Sequence, residues 1–221
     1  MELSLKEKFI IIAYHPQKGS SIAGNFLSYG IGGAILFELA EQKRINVENK
    51  RVKLLDTHKT GDEVLDRAME ILKKSSKPYR VKSFISKIAN KPSKFKRPIV
   101  EGLTDKRVLK EVRKKFLFFS YKRFPAVKPK NRDELINRIR KLVLKKAESD
   151  TDTVLLAGLA GACQFVKKFF HTKEERKIAK IRVKEIVENS QIDQAIDETI
   201  KAVQAAVLVA VTTSAVAASS S

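Results

Sequence analysis

The sequence has no tryptophan, one cysteine and three histidines in 221 residues. A single thiol, Cys163, rules out an internal disulfide. It fits a reducing, intracellular compartment, with Cys163 as a small core residue in the apolar run 154–166. His15, His58 and His171 stand far apart, with no His-Glu-x-x-His and no Cys-x-x-Cys, so no metal centre and no other cofactor is expected. No glycine-rich loop links a strand to a helix. Gly30-Ile31-Gly32-Gly33 lies inside an apolar helical segment and lacks the Lys-Ser or Lys-Thr of a phosphate loop, so close helix packing is its reading. Long hydrophobic runs are also missing. The longest charge-free stretch, Ala202–Ser221, is alanine-rich and interrupted by Gln204, Thr212, Thr213 and Ser214. That is too polar for a span of about 20 apolar residues, and a buried terminal helix with a Ser/Ala tail at 213–221 is expected instead. The charged N-terminal residues and the absence of a small-residue cleavage site argue against a signal peptide.

Catalytic signals are equally thin. Ser28 and Cys163 have no neighbouring base in sequence. Asp62 and Asp66 share a helix face, but Asp62 is better placed to cap that helix, so no catalytic residue is assigned and the chain reads as a binding protein, not an enzyme.

What is present is helical periodicity and one-sided charge. Hydrophobic residues make up 43% of the chain, enough for a core. Ser4-x-x-Glu7 forms a capping box before a short helix. Helices are expected over 25–42, 63–74, 81–89, 133–146, 153–170, 173–188 and 192–218. A hairpin is expected over 44–55 around Glu48-Asn49-Lys50, and a strand over 116–121. Residues 94–114 read as a basic helix interrupted at Pro98. The fold class is mostly α: one helical domain over 3–212 with a small β-hairpin and one or two further short strands.

The net charge is +20, and it is concentrated. Residues 73–146 carry 26 Lys and Arg against five Asp and Glu, while the remainder holds 19 basic and 20 acidic residues. A basic block inside a neutral chain reads as a face for an anionic partner. Lys94, Lys96 and Arg97 crowd before Pro98 as candidate head-group ligands. Lys106, Arg107, Lys110, Arg113 and Lys114 follow at spacings that put several on one helical face, as a candidate membrane-facing surface. Anionic lipid and nucleic acid both satisfy this charge. The second lacks a recognised motif and stands as the alternative.

Leu27-Ser28-x-Gly30-x-x-Gly33-Ala34-x-Leu36-x-Glu38-Leu39-Ala40-x-x-x-Arg44-Ile45, Thr60-Gly61-Asp62-x-x-Leu65-Asp66-x-Ala68, Leu103-x-x-Lys106-x-Val108-Leu109, Phe116-Leu117-Phe118-Phe119 and Phe124-Pro125 together resemble the Golgi phosphoprotein 3 family, in order and spacing, over about residues 3–211. The resemblance implies a helical domain that binds the cytoplasmic face of a membrane peripherally. It also implies phosphatidylinositol 4-phosphate on Golgi membranes as ligand, with glycosyltransferase tails and vesicle coats as protein partners; self-association is left open. The family's lipid pocket uses a Trp, an Arg of the first long helix and two further Arg. By position these fall on Ala23, Gly32, near Ser93 and on Lys96, so only Lys96 keeps the charge. The short hairpin 44–55 and the absence of the family's basic N-terminal extension resemble its compact bacterial members.

Overall fold

Two segments are apolar on every side and must be surrounded by protein. They become α2 (Leu27–Glu41), entered through a 3-10 turn at Gly24–Phe26, and α7 (Thr151–Ala162). In α2 the whole run from Gly30 to Leu39 is buried; in α7 the run from Thr153 to Ala160 is buried. In this computed structural model, which describes residues 2–145, 147–189, 201, 205 and 207, α1 (Leu5–Ala13) packs against both of these central helices. The amphipathic helices α3 (Glu63–Lys73) and α4 (Val81–Ala89) cover α2, α5 (Lys96–Asp105) lies on α1, and α6 (Pro129–Lys145) and α8 (Lys173–Asn189) cover α7. The mostly α architecture is therefore as the periodicity indicates.

The glycines of α2 are there for contact. A Cβ on Gly30 would lie 2.1 Å from Phe9 Cζ and 2.8 Å from Cys163 Sγ. Phe9 and Cys163 are both buried, so neither has room to move aside.

The expected hairpin is β1 (Ile45–Glu48) and β2 (Arg51–Leu54), joined by Asn49 and Lys50 with φ of 51° and 59°. Both turn residues sit in the left-handed region that a two-residue hairpin turn requires. A two-residue strand, β3 (Tyr79–Arg80), adds to β2. Val47 and Val52 face each other across the pair and are buried.

Three expectations need correction, and they share one physical cause. The helix expected over 153–170 stops at Ala162, and a 3-10 turn at Val166–Phe169 follows. Gln164 has φ 60°, its N–H donates to Gly161 O and the Phe165 N–H donates to Ala160 O. This is a Schellman stop with glutamine where glycine is usual. The break turns Phe165, Phe169 and Phe170 into the core. The basic helix expected over 94–114 ends at Asp105 in the same way: Arg107 has φ 55°, and the Val108 N–H donates to Leu103 O. Pro98 does not interrupt α5, because it lies in the first turn, where no intrahelical N–H is lost. The strand expected over 116–121 is instead a turn. β4 (Val112–Phe116) and β5 (Phe119–Arg123) form a second hairpin with Leu117-Phe118 between them, Leu117 at φ 51°. The expected capping box forms at the start of α1, where Glu7 accepts from the Ser4 N–H at 3.1 Å. Glu7 also accepts from Lys106 Nζ at 2.6 Å through its other oxygen. The terminal helix expected over 192–218 and the tail at 213–221 lie outside the described residues apart from 201, 205 and 207. Among the described residues no helix is long and apolar enough to cross a membrane.

Candidate membrane-binding face

The β4–β5 hairpin stands away from the helical body on a fixed base. Gly19, with φ 60°, closes the turn at 15–19 so tightly on the chain that a Cβ there would lie 2.4 Å from Pro125 N. The Phe124 N–H donates to Gly19 O at 3.0 Å, the Ala126 N–H to Pro16 O at 2.9 Å and the Lys110 N–H to Pro125 O at 3.0 Å. Beyond this base every described side chain from Arg113 to Lys122 is exposed. The tip is apolar: Leu117 is 78%, Phe118 98% and Phe119 75% exposed. A bulky residue at positive φ costs about 1–2 kcal/mol, and Leu-Phe is not a turn pair chosen for local stability. The turn displays its side chains at the expense of its own propensity.

The strands below the tip are cationic. Arg113 pairs with Lys122 across the ladder, a like-charge opposition that weakens a hairpin. Glu111 relieves it, accepting from Lys122 Nζ at 2.8 Å and lying 3.5 Å from Arg113 Nε. These contacts hold the Glu111 carboxyl below its ordinary range, with the Lys122 bond as the main cause. Lys114 and Lys115 face Tyr121 and Ser120, and Arg123 lies over the Tyr121 ring at 4.8 Å.

Two cavities flank the base. One, of about 420 Å³, is lined by Lys96, Lys122 and Arg123 together with Ser20, Ser28 and Asn25, an arrangement of cations and small donors without a carboxylate. The other, of about 460 Å³, has Lys18, Lys110, Lys114 and Arg123 around Pro16 and Pro125. Charge-assisted donors converging without an acid suit phosphate oxygens.

The structure separates residues that adjoin in sequence. Lys96 lines the first cavity, Lys94 lines a different one between α3 and α4, and Arg97 is exposed and bonded to Glu101 at 2.7 Å. Lys106 is engaged with Glu7, and Arg107 is the left-handed stop after α5. Lys110, Arg113 and Lys114 lead into and along β4 rather than along a helix, so the common helical face expected for the five residues 106–114 is not formed. Of the positions implied by the family's lipid pocket, Lys96 lines the first cavity beside Gly24 and Pro92, the chain neighbours of Ala23 and Ser93. Ala23 is buried, Gly32 lies against Ile85 with 3.2 Å of room for a Cβ, and Ser93 lines the α3–α4 cavity. Sequence reasoning missed Lys122, Arg123 and the three tip residues. The available signal was a Phe-Leu-Phe-Phe run flanked on both sides by cations.

The Thr-Gly-Asp segment serves the fold. Asp62 accepts from the N–H groups of Val64 and Leu65 at 2.9 and 3.0 Å, capping α3. Asp66 accepts from the Thr60 N–H at 2.7 Å and hydroxyl at 2.8 Å. The second Asp62 oxygen lies 2.8 Å from Lys6 Nζ, which also bonds Glu38 at 2.6 Å. Lys6 and Glu38 are almost wholly buried. Burial alone would lower the Lys6 pKa, but attraction to Glu38 and Asp62 outweighs it and holds the ammonium above its ordinary range. Burial pushes Asp62 up, and the Lys6 and backbone bonds more than reverse this, leaving it below its ordinary value. Both carboxylates are thus occupied structurally, and His58 is exposed beside Asp56. Among the described residues no His, Cys, Asp or Glu group is arranged to hold a metal.

The family model described as Golgi phosphoprotein 3 (GPP34) matches residues 5–206. The vacuolar protein sorting-associated protein 74 of Eremothecium gossypii is 24% identical over 166 residues, covering 65% of this chain and 50% of that protein. Its namesake in Schizosaccharomyces pombe is 26% identical over 159 residues, covering 62% and 47%. The chain spans about half the length of these relatives. They are fungal proteins, and the expected bacterial type is not borne out. With the match running through α1 to α8 and both hairpins of the described residues, the chain belongs to the Golgi phosphoprotein 3 family.

Proposed function

We propose that this protein binds membranes peripherally, on the cytoplasmic face. In this reading the β4–β5 tip enters the lipid boundary while the cations below it meet anionic head groups. The observation that carries the reading is the tip itself: three consecutive exposed apolar side chains on a hairpin whose strands bear Arg113, Lys114, Lys115, Lys122 and Arg123. Transferring one Phe side chain out of water contributes about 1.5–3 kcal/mol. Each cation near an anionic surface adds about 1 kcal/mol, reduced by salt. Neither element suffices alone; together they make a reversible anchor.

The cavity of Lys96, Lys122 and Arg123 is the candidate head-group site, and phosphatidylinositol 4-phosphate is the lipid the family resemblance favours for it. Lys122 and Arg123 there take the place of the arginines that this chain lacks at Gly32 and Ser93. The relatives' names, which refer to vacuolar protein sorting, support a role in which membrane attachment serves protein cargo. The absence of a free acid–base pair at Asp62, Asp66 and His58 supports a binding role over catalysis.

Flotation at moderate salt tests this, using neutral vesicles, vesicles with phosphatidylserine, and vesicles with phosphatidylinositol 4-phosphate at matched charge. The proposal expects binding to both anionic sets, tighter to the phosphoinositide, and loss on Lys96→Glu of the phosphoinositide preference alone. No association with anionic vesicles at low salt would reject it. A mobility shift of RNA or DNA under the same conditions would then favour the alternative partner.

A further inference from the structure

The cavity between α3 and α4 belongs to neither the hairpin nor the Lys96 site. It has a volume of about 600 Å³, within the range of small-molecule sites. Arg67 and Lys74 of α3 and its C-cap, Lys87 of α4, and Lys91 and Lys94 of the following loop line it, against one carboxylate, Glu70. Among the described residues, Arg67 alone of the five cations has a carboxylate partner, Glu63, and it also donates to the Lys94 carbonyl at 3.1 Å, fixing the loop to α3. Lys87 Nζ donates to Tyr79 Oη at 2.9 Å and lies 5.2 Å from that ring. Chiefly through this bond, Tyr79 is held below its ordinary pKa. Ile71 and buried Phe95 add an apolar wall.

We infer that this cavity is a second anion site, for a ligand carrying more than one phosphate. A phosphate monoester brings a charge of about −1.5 to −2. With Glu70 in the lining and Arg67 paired with Glu63, about three of the five positive charges remain unmatched, so one such group would still leave about one of them unmatched and most of the cavity empty. A polyphosphorylated ring fits both. Lys91 and Lys94 come down on it from the loop, Lys74 and Arg67 flank it from α3, and the Tyr79–Lys87 pair offers donors at the far wall. The loop at 91–95 also separates this cavity from the Lys96 site, with Pro92 lining one and its neighbours the other. Two anions bound at once would clasp that loop from both sides. The inference does not rest on the hairpin entering a membrane.

Its test uses the isotope-labelled full chain. Inositol 1,4,5-trisphosphate is the soluble probe, and neutral vesicles with phosphatidylinositol 4,5-bisphosphate, or with phosphatidylserine at matched charge, are the lipid probes. Amide shifts at Tyr79, Lys91 and Lys94 on adding the trisphosphate, weakened about tenfold by Lys91→Glu/Lys94→Glu and unchanged in Lys177→Glu/Lys180→Glu on α8, would establish a site open to free ligand. No such shifts, but a preference for the bisphosphate lipid that only the first double variant removes, would assign it to a head group. Tyr79→Phe should weaken whichever ligand binds by a few-fold. Shifts confined to other residues with no lipid preference, or equal losses in both double variants, would overturn the inference. The soluble arm repeated on Phe118→Asp separates this outcome from failure of the hairpin reading, because the site expects unchanged shifts there.

Discussion

Lys6 and Lys115 are the same residue type under opposite conditions. Lys6 is 3% exposed and held by two carboxylates between α1, α2 and the cap of α3. Lys115 stands in water on a hairpin where every described neighbour is exposed and cations predominate. The first is a charge the fold has enclosed and must keep matched; the second is a charge the fold leaves unmatched. Stability should therefore depend on the interior network and attachment on the hairpin, with little overlap. The tip makes the same point with apolar groups: Phe9 and Phe118 differ in burial, 0% against 98% exposed, and only the first contributes to folding.

The largest effect should come from opening the network. Lys6→Ala leaves Glu38 buried without its counter-ion and should cost about 3–5 kcal/mol, read by urea unfolding. A variant as stable as the parent would mean the network is only surface-like. The pH dependence follows Lys6 and Asp62. Asp62 sits below its ordinary value near 3.8, so its contribution is present above that value and lost as pH falls through the folded pKa. Lys6 sits above 10.5, so its contribution is present below that value and lost as pH rises through the folded pKa. Unfolding midpoints against pH should fall at both ends, and Asp62→Asn should flatten the acid limb.

Next in size is Phe118→Asp. It should leave the unfolding free energy within about 0.5 kcal/mol and reduce anionic-vesicle affinity about tenfold to a hundredfold. If it unfolds the protein, the tip is not the free element described. Gly30→Ala sharpens the converse: it adds a methyl against Phe9 and Cys163 and should destabilise by about 1–3 kcal/mol, with vesicle binding of the folded fraction unchanged. The smallest effect belongs to Lys115→Ala, about fivefold weaker flotation at low salt and little difference at high salt.

Much of the interior was legible in sequence, because burial leaves a periodic trace. The amphipathic stripe at Ile136, Ile139, Leu142 and Val143, the all-apolar α2, and Asp62 as a cap follow from spacing alone. Its glycines read correctly as close contacts, though their partner Phe9 could not be named. The site was less legible for a physical reason. Its geometry depends on left-handed residues that are not glycine: Arg107 ends α5 and Leu117 makes the hairpin turn. Tertiary packing overrides local propensity at both, and a single sequence marks neither. Hence the basic run looked like one helical face although it divides among a loop, a strand and separate cavities. Lys6 and Glu38, 32 residues apart, gave no pattern to find.

The missing tryptophan makes the most direct test simple. Phe118→Trp places the only indole of the chain at the hairpin tip, so its emission reports that position and nothing else. With anionic vesicles the emission should shift to the blue and be quenched by lipids brominated on their acyl chains, with neither change on neutral vesicles. Flotation with an unshifted, unquenched indole would show that the protein reaches the membrane by another surface and would contradict the account.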